Sequence, residues 1–226
     1  MRLTSYNIRK AVGLDWRRDP DRIVDVLAEI DADIVVLQEA DRRVGTRGGV
    51  LPLERLEDDL GYSLTEVSMR PLSHGWHGNA ILVRHDVDCH PPARIALPSV
   101  EPRGAVAVCL ESPRIEVVGV HLGLTPGMRR KQLEALQQVV AARDHPVILA
   151  GDFNEWNAAR LRFPAPLKVI SPGPSFHTAR PSAALDRFVL SGGLHATAAY
   201  VHHSELAARA SDHLPVVIDF DVTEPA

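Results

Sequence analysis

The chain is predicted to be an α/β sandwich, two packed β-sheets flanked by helices, on three observations. Short apolar runs rich in β-branched residues recur along its 226 residues; few segments between them carry helical periodicity; and Gly and Pro punctuate them as loops rather than gathering in one linker. So many strands with so few helices do not fit a doubly wound parallel sheet. Hydrophobic residues make up 45% and charged residues 24%, a globular balance with enough apolar surface for a continuous core. At this length, one domain over residues 1–226 is the default.

The first strand is read over residues 2–8, which alternate apolar and polar. Asp19-Pro20 supplies an N-cap and a first helical residue, so a helix runs from there to about Ile30, with Ile23, Val24, Leu27 and Ile30 on one face. Residues 33–38 are a β-branched run of the kind buried on both faces, and they deliver Glu39 to the strand's C-terminal end. Further strands are predicted at 79–84, 105–111, 115–121, 147–150, 185–191, 196–201 and 214–220, with helices at 51–60 and, more clearly, 127–142. Asn7, Glu39, His121, Asp152, Asn154, Asp212 and His213 therefore each sit at or just beyond the end of a strand-like run. Loops held by a rigid sheet are where reactive groups are usually presented, whereas a carboxylate inside such a run would need a costly buried partner.

The formal net charge of −4 excludes an overall positive field for non-specific nucleic-acid binding, so any polyanion must be held locally. Arg42, Arg43 and Arg47 form one basic cluster and Arg129, Arg130 and Lys131 another, although either run also reads as a solvated face. With two cysteines, Cys89 and Cys109, neither a disulfide framework nor a thiolate metal site is indicated, and a cytoplasmic location is expected. No run of 18 apolar residues argues for a membrane span.

Three fragments carry chemistry. In Gly151-Asp152-Phe153-Asn154 a carboxylate and a carboxamide lie two residues apart, so in extended backbone both project to one side; Gly151 permits close approach of backbone or substrate. Taken alone, this is equally a polar turn with an Asx bond. Ser211-Asp212-His213-Leu214-Pro215-Val216 sets a carboxylate beside an imidazole, able to bind metal or move protons, though an isolated Asp-His pair is commonly a turn. Val36-Leu37-Gln38-Glu39 offers a hard oxygen ligand suited to Mg²⁺ or Mn²⁺, or a solvated loop carboxylate.

Together these fragments resemble the endonuclease/exonuclease/phosphatase superfamily, in the family's order and over nearly the whole chain. Thr4-Ser5-Tyr6-Asn7-Ile8 is similar to its opening strand, Leu37-Gln38-Glu39 to its metal-ligand motif, Gly78-Asn79-Ala80-Ile81 to a strand of bacterial members and Val120-His121-Leu122 to its strand-end His. Gly151-Asp152-Phe153-Asn154, Leu185-Asp186-Arg187 and Ser211-Asp212-His213-Leu214-Pro215-Val216 resemble its late motifs. The resemblance implies a four-layered α/β sandwich with two mixed sheets inside, DNase I-like. It implies Glu39 as the principal carboxylate for Mg²⁺ or Mn²⁺, with Asn7 close by and Asp212 near the same ion or its water. Asp152 then orients and deprotonates water, Asn154 holds a phosphate oxygen, His213 donates as an imidazolium buttressed by Asp186, and His121 adds a donor. Which of Asp152 and His213 acts as the base stays open at this point.

Asn79 is expected to line the site as a donor, with a structural strand-end amide as the alternative. Arg130 and Gln132 stand where relatives carry Arg and Gln and are expected to support the site from behind, a solvated helix start being the competing reading. His74, His77, His202 and His203 match no strong family position; the loop 74–77 reads first as an exposed Gly turn and second as a substrate rim. The Pro- and Ser-rich segment 164–181 is expected to be a substrate-facing loop.

The resemblance fixes the reaction, hydrolysis of a phosphate ester, better than the substrate, which is a nucleic acid, a phospholipid or a small phosphodiester. The acidic balance and the lack of long basic insertions weigh against a duplex endonuclease, and the loop 42–49 is the one place where a grip on nucleic acid could begin. The alternative is a non-catalytic phosphate-binding or scaffold protein retaining the fold, which should have lost one of Glu39, Asp152, Asn154 or His213. All four are present.

Overall fold

A computed structural model describes residues 1–100 and 103–223. Among them the elements run β1 (Arg2–Asn7), α1 (Pro20–Ile30), β2 (Ile34–Gln38), α2 (Leu53–Asp58), β3 (Tyr62–Leu64), β4 (Ala80–Arg84), β5 (Ala93–Ala96) and β6 (Gly104–Cys109). There follow β7 (Glu116–His121), α3 (Pro126–Ala141), β8 (Val147–Asp152), β9 (Lys168–Ile170), β10 (Asp186–Leu190), β11 (Leu194–Val201), α4 (Ala207–Ala210) and β12 (Val216–Val222).

The strands make two six-stranded sheets, ordered β11-β12-β1-β2-β4-β3 and β5-β6-β7-β8-β10-β9. Both are mixed: β1 runs parallel to β2 and antiparallel to β12, and β7 runs parallel to β8, which is antiparallel to β10. Strand alternation assigns the layers. Ile34, Val36, Ile81, Val106, Val108, Ile148 and Phe188 fill the space between the sheets. Val35, Leu37 and Leu82 point the other way, onto Ile23, Val24, Leu27 and Ile30 of α1. On the far side Ala105, Val118 and Leu149 meet Leu133, Leu136 and Val140 of α3. Helix, sheet, sheet and helix form the four layers, and each aliphatic side chain so buried contributes about 1.5–3 kcal/mol of transfer free energy.

Helix α1 begins and ends where its sequence cues put it. The Asp19 carboxylate accepts from the Arg22 N–H at 3.2 Å, Pro20 opens the first turn, and Asp31 closes the last in a left-handed conformation. Differences elsewhere have local causes. Strand β8 runs on through Gly151 to Asp152, two residues past its apolar run, because Gly151 lies with φ 153° against its parallel neighbour; a Cβ there would sit 1.9 Å from the Val120 carbonyl oxygen. The segment 164–181 contains the short strand β9. Helix α2 is shorter than predicted, six residues from Leu53, without a side-chain cap. No helix among the described residues is long and apolar enough to cross a membrane.

Candidate active site

The C-terminal ends of β1, β7 and β8 and the start of β10 meet at one end of the sandwich. Register does the placing: Asp152 is opposite His121 in the parallel β7–β8 ladder and opposite Asp186 in the antiparallel β8–β10 ladder. Asn7 arrives from the other sheet, and its Nδ2 donates to Asp152 Oδ2 at 3.1 Å. His213, in the turn before β12, is carried in by Phe176, which bridges to it through the backbone and packs its ring 4.8 Å away. His213 Nδ1 lies 2.8 Å from Asp186 Oδ2, an oxygen that also accepts from Ser175 Oγ at 2.5 Å. His213 Nε2 then faces Asp152 Oδ2 at 3.8 Å, and His121 Nε2 faces it at 3.5 Å.

The titratable side chains among these are all buried, so their charges are set by one another. Burial raises Asp152, the Asp186 charge raises it further, and the opposing pull of His213, the Asn154 N–H and Asn7 leaves it at about 6. Burial pulls His213 down, yet the charge and hydrogen bond of Asp186 outweigh it and hold the imidazole at about 10, an imidazolium at neutral pH. His121 is driven well below the ordinary range, first by burial and then by the positive charges of Arg103, His213, Lys10 and Arg43. One neutral and one charged imidazole therefore flank a single carboxylate.

The expected metal carboxylates lie beside this core and are less buried. Glu39 follows β2 in a left-handed conformation, φ 56°, and pairs with Lys10. Asp212 pairs with Arg9, Nε to Oδ2 3.3 Å, and the Arg9 N–H donates to Asn7 Oδ1 at 3.2 Å. Side-chain exposures of 20% for Glu39 and 22% for Asp212 leave both open to an ion. The donors are all oxygens, which fits a hard divalent cation. Asp152, Asp186 and His213 also bring ligand atoms within 4.8 Å of one another and form a group with the donors to hold a metal. Ligation there requires a neutral imidazole nitrogen, against the pull of two carboxylates on His213.

Asn154, in the left-handed region, gives one amide hydrogen to the Leu122 carbonyl at 2.9 Å and its backbone N–H to Asp152 Oδ1 at 2.8 Å. Two expected site residues do not join the cluster. Asn79 donates to the Gly104 carbonyl at 2.8 Å and ties the start of β4 to the start of β6, which is the structural-amide alternative. Arg130 is 76% exposed and faces Glu134 along its own helix. The inward residue is its neighbour Arg129, whose Nε and Nη2 donate to Glu155 Oε2 at 3.0 and 2.9 Å while Nη1 holds the Gly123 and Leu124 carbonyls. Gln132 is buried and accepts from the Gly123 N–H at 2.8 Å.

The Arg129–Glu155 pair fixes the loop that follows Asp152 and was not foreseen. Arg129→Met is expected to destabilise the protein by about 3–5 kcal/mol, because it strands the Glu155 carboxylate in a buried setting. Urea unfolding at neutral pH measures this, and a loss below about 1 kcal/mol would mean that Glu155 is rehydrated without strain.

Comparison with known proteins agrees with the geometry. The family model described as Endonuclease/Exonuclease/phosphatase family matches residues 4–213. A protein of Escherichia coli (strain K12) named Uncharacterized protein YbhP is 32% identical over 162 residues, 64% of this chain and 61% of that protein. The match thus spans about three fifths of the relative's length. Among solved structures, an endonuclease/exonuclease/phosphatase from Beutenbergia cavernae superposes with TM-score 0.72 at 23% identity, over 98% of this chain and 71% of that one. D. rerio TDP2 complexed with a single-strand DNA product superposes with TM-score 0.75 at 19% identity, over 98% and 99%. At these identities the likeness speaks for the fold.

Proposed function

The chain belongs to the endonuclease/exonuclease/phosphatase family, and from that premise we propose that it is a divalent-metal-dependent phosphoesterase that hydrolyses a phosphodiester or phosphomonoester by in-line attack of water. The observation carrying this is the buried relay Asn7–Asp152–His213–Asp186, with contacts of 3.1, 3.8 and 2.8 Å, beside two partly exposed carboxylates. Both sheets contribute to it, so residues 1–226 are taken as one catalytic unit.

Asp152 is assigned as the base. A carboxylate raised towards neutrality accepts a proton near working pH and is ionised when it must act, whereas His213, already protonated, has no lone pair to offer. His213 is the donor: with Nδ1 held by Asp186, its Nε2–H is free to meet a phosphoryl oxygen or the departing group. His121, neutral, and Asn154, with one amide hydrogen remaining, add uncharged donors beside an anionic substrate. Glu39, Asn7 and Asp212 would hold Mg²⁺ or Mn²⁺, displacing the side chains of Lys10 and Arg9. The ion, when bound, supplies charge neutralisation at a phosphoryl oxygen and the leaving oxygen. Asn79 and Arg130 receive no role at the phosphorus.

Hydrolysis of bis(p-nitrophenyl) phosphate with Mg²⁺ or Mn²⁺, against a chelator control, tests the proposal. No turnover with either ion, and none on abasic DNA, single-stranded DNA, phospholipids or inositol phosphates, would leave the non-catalytic scaffold as the better account.

The pH profile tests the division of roles. Because the folded pKa of His213 is raised, its charged form persists as pH rises and is lost only near 10. Asp186→Asn removes the main opposing charge, so the alkaline limb of kcat is expected to move down by at least about one unit, lowering kcat near pH 10 about fivefold when each enzyme is scaled to its own neutral-pH plateau. An unmoved limb would mean that His213 does not act as the donor.

A further inference from the structure

Next to the ester site lies a cleft of about 380 Å³ that shares Glu39, Lys10 and His121 with it and is otherwise dominated by arginine: Arg42, Arg43 and Arg47 from the loop after Glu39, Arg70 from the loop before β4, and Arg103. In a chain of net charge −4 this concentration of positive charge is local. We propose that the cleft is a second phosphate subsite, which takes a phosphate group of the substrate other than the one attacked; the proposal rests on the phosphoesterase assignment and narrows its substrate to molecules carrying at least two phosphates.

The cleft is built rather than incidental. The loop 41–49 is closed on itself by Arg42 N–H to the Gly48 carbonyl at 3.0 Å and Val50 N–H to the Ala40 carbonyl at 3.1 Å. It is stapled to the second loop by Gly49 N–H to the Leu72 carbonyl at 2.6 Å. Asp41 completes the staple: its carboxylate accepts from Ser73 Oγ and the His74 N–H, both at 2.7 Å, and from the Gly75 N–H at 3.2 Å. Trp76 walls the cleft by lying on Gly104, where a Cβ would come within 2.0 Å of the indole. Two arginine-bearing loops are thus held in one arrangement before any ligand arrives, which lowers the entropic cost of binding.

Charge balance points to an anion. Among the described lining residues the acids are Glu39 and Asp41, and both are engaged, Glu39 by Lys10 and Asp41 by the staple. The arginines of the two loops are at or near the surface and converge on one space. A guanidinium offers paired N–H donors matched to phosphate oxygens, and several around a small cavity suit a compact, highly charged group better than a flat membrane face. The same field is felt by His77, whose imidazole is lowered first by burial and then by Arg47 and Arg70. Because the cleft opens onto Glu39 and His121, its ligand is continuous with whatever occupies the ester site. The second phosphate comes either from the neighbouring linkage of a nucleic-acid strand or from another position on a small polyphosphorylated molecule.

The experiment compares the wild type with Arg42→Ala/Arg47→Ala/Arg70→Ala and with the triple lysine variant, which keeps the charge. Binding is measured in chelator, so that no turnover is needed, by fluorescence anisotropy with a labelled single-stranded octanucleotide and by calorimetry with inositol hexakisphosphate. The alanine variant is expected to bind at least one probe about 10-fold more weakly at low salt; for the octanucleotide the slope of log K against log salt should fall by about 2, three contacts at roughly 0.7 each. The lysine variant should keep most of that slope. Loss confined to the octanucleotide assigns a strand, and loss confined to inositol hexakisphosphate assigns a small polyphosphate. Turnover of bis(p-nitrophenyl) phosphate, which has one phosphoryl group, should be unchanged within about twofold. Wild-type affinity of the alanine variant for both probes overturns the proposal, as does a parallel loss of bis(p-nitrophenyl) phosphate turnover. Wild-type protein that binds through these arginines but hydrolyses nothing would overturn the phosphoesterase assignment instead.

Discussion

Asp152→Asn is expected to lower kcat by about 10³-fold or more while leaving the melting temperature equal to the wild type or higher. The two effects share a cause. Asp152 is buried, and its carboxylate is held above its ordinary range by burial and by Asp186; the ionised form therefore weakens the folded state near neutral pH. An isosteric amide removes that cost and keeps an acceptor for the Asn154 N–H, now at 2.8 Å from Oδ1. It also removes the lone pair that takes the proton from water, a contribution of about 10²–10⁴ from general-base catalysis alone, and places an amide donor opposite Asn7 Nδ2. Steady-state kinetics with thermal unfolding of the same sample provide the check. Activity within tenfold of wild type would remove Asp152 from the role of base; a large loss of stability would show that the carboxylate is a structural group.

Glu39→Gln is expected to lower kcat/KM by two to three orders of magnitude at saturating wild-type metal, with part of the loss recovered at higher Mn²⁺. Glutamine keeps the size of the side chain but halves the formal charge of the Glu39–Asp212 pair, and a bound ion contributes several kcal/mol of charge stabilisation to the reaction. The side chain pairs with Lys10 from a residue that is itself in a left-handed conformation, so the substitution leaves the backbone undisturbed. Calorimetric titration with Mn²⁺ gives the independent readout: affinity should fall at least tenfold. Unaltered Mn²⁺ affinity would shift the ion to the Asp152–Asp186–His213 group.

The layering and the meeting of strand ends were legible in the sequence because a β-branched run followed at once by a polar residue states both the strand and where it stops. Glu39 and His121 follow that rule, whereas His213 lies in the turn that leads into β12. Strands β3, β5 and β9 escaped it, being three or four residues long, at sheet edges with a single paired neighbour and, in β5 and β9, without a fully buried residue. Arg130 was placed by resemblance when phase pointed elsewhere: Arg129 falls in the same stripe as Gln132, Leu133 and Leu136, and helical periodicity would have picked it. Ser175 and Phe176, which hold Asp186 and His213, carry no local signal at all, since their partners lie 11 residues away and beyond.

The hydrogen bond from Asn7 to Asp152 joins one sheet to the other, so under the proposed roles the spacing between Asp152 and the Glu39 and Asp212 carboxylates is governed by how the hydrophobic filling seats the two halves. A methylene lost from Val36 or Ile148 would shift one half of the chemistry against the other, and displacements near 1 Å cost about a hundredfold in rate. Turnover is thus a finer gauge of interior fit than melting, and drift in the filling is constrained by reactivity well before it is constrained by folding.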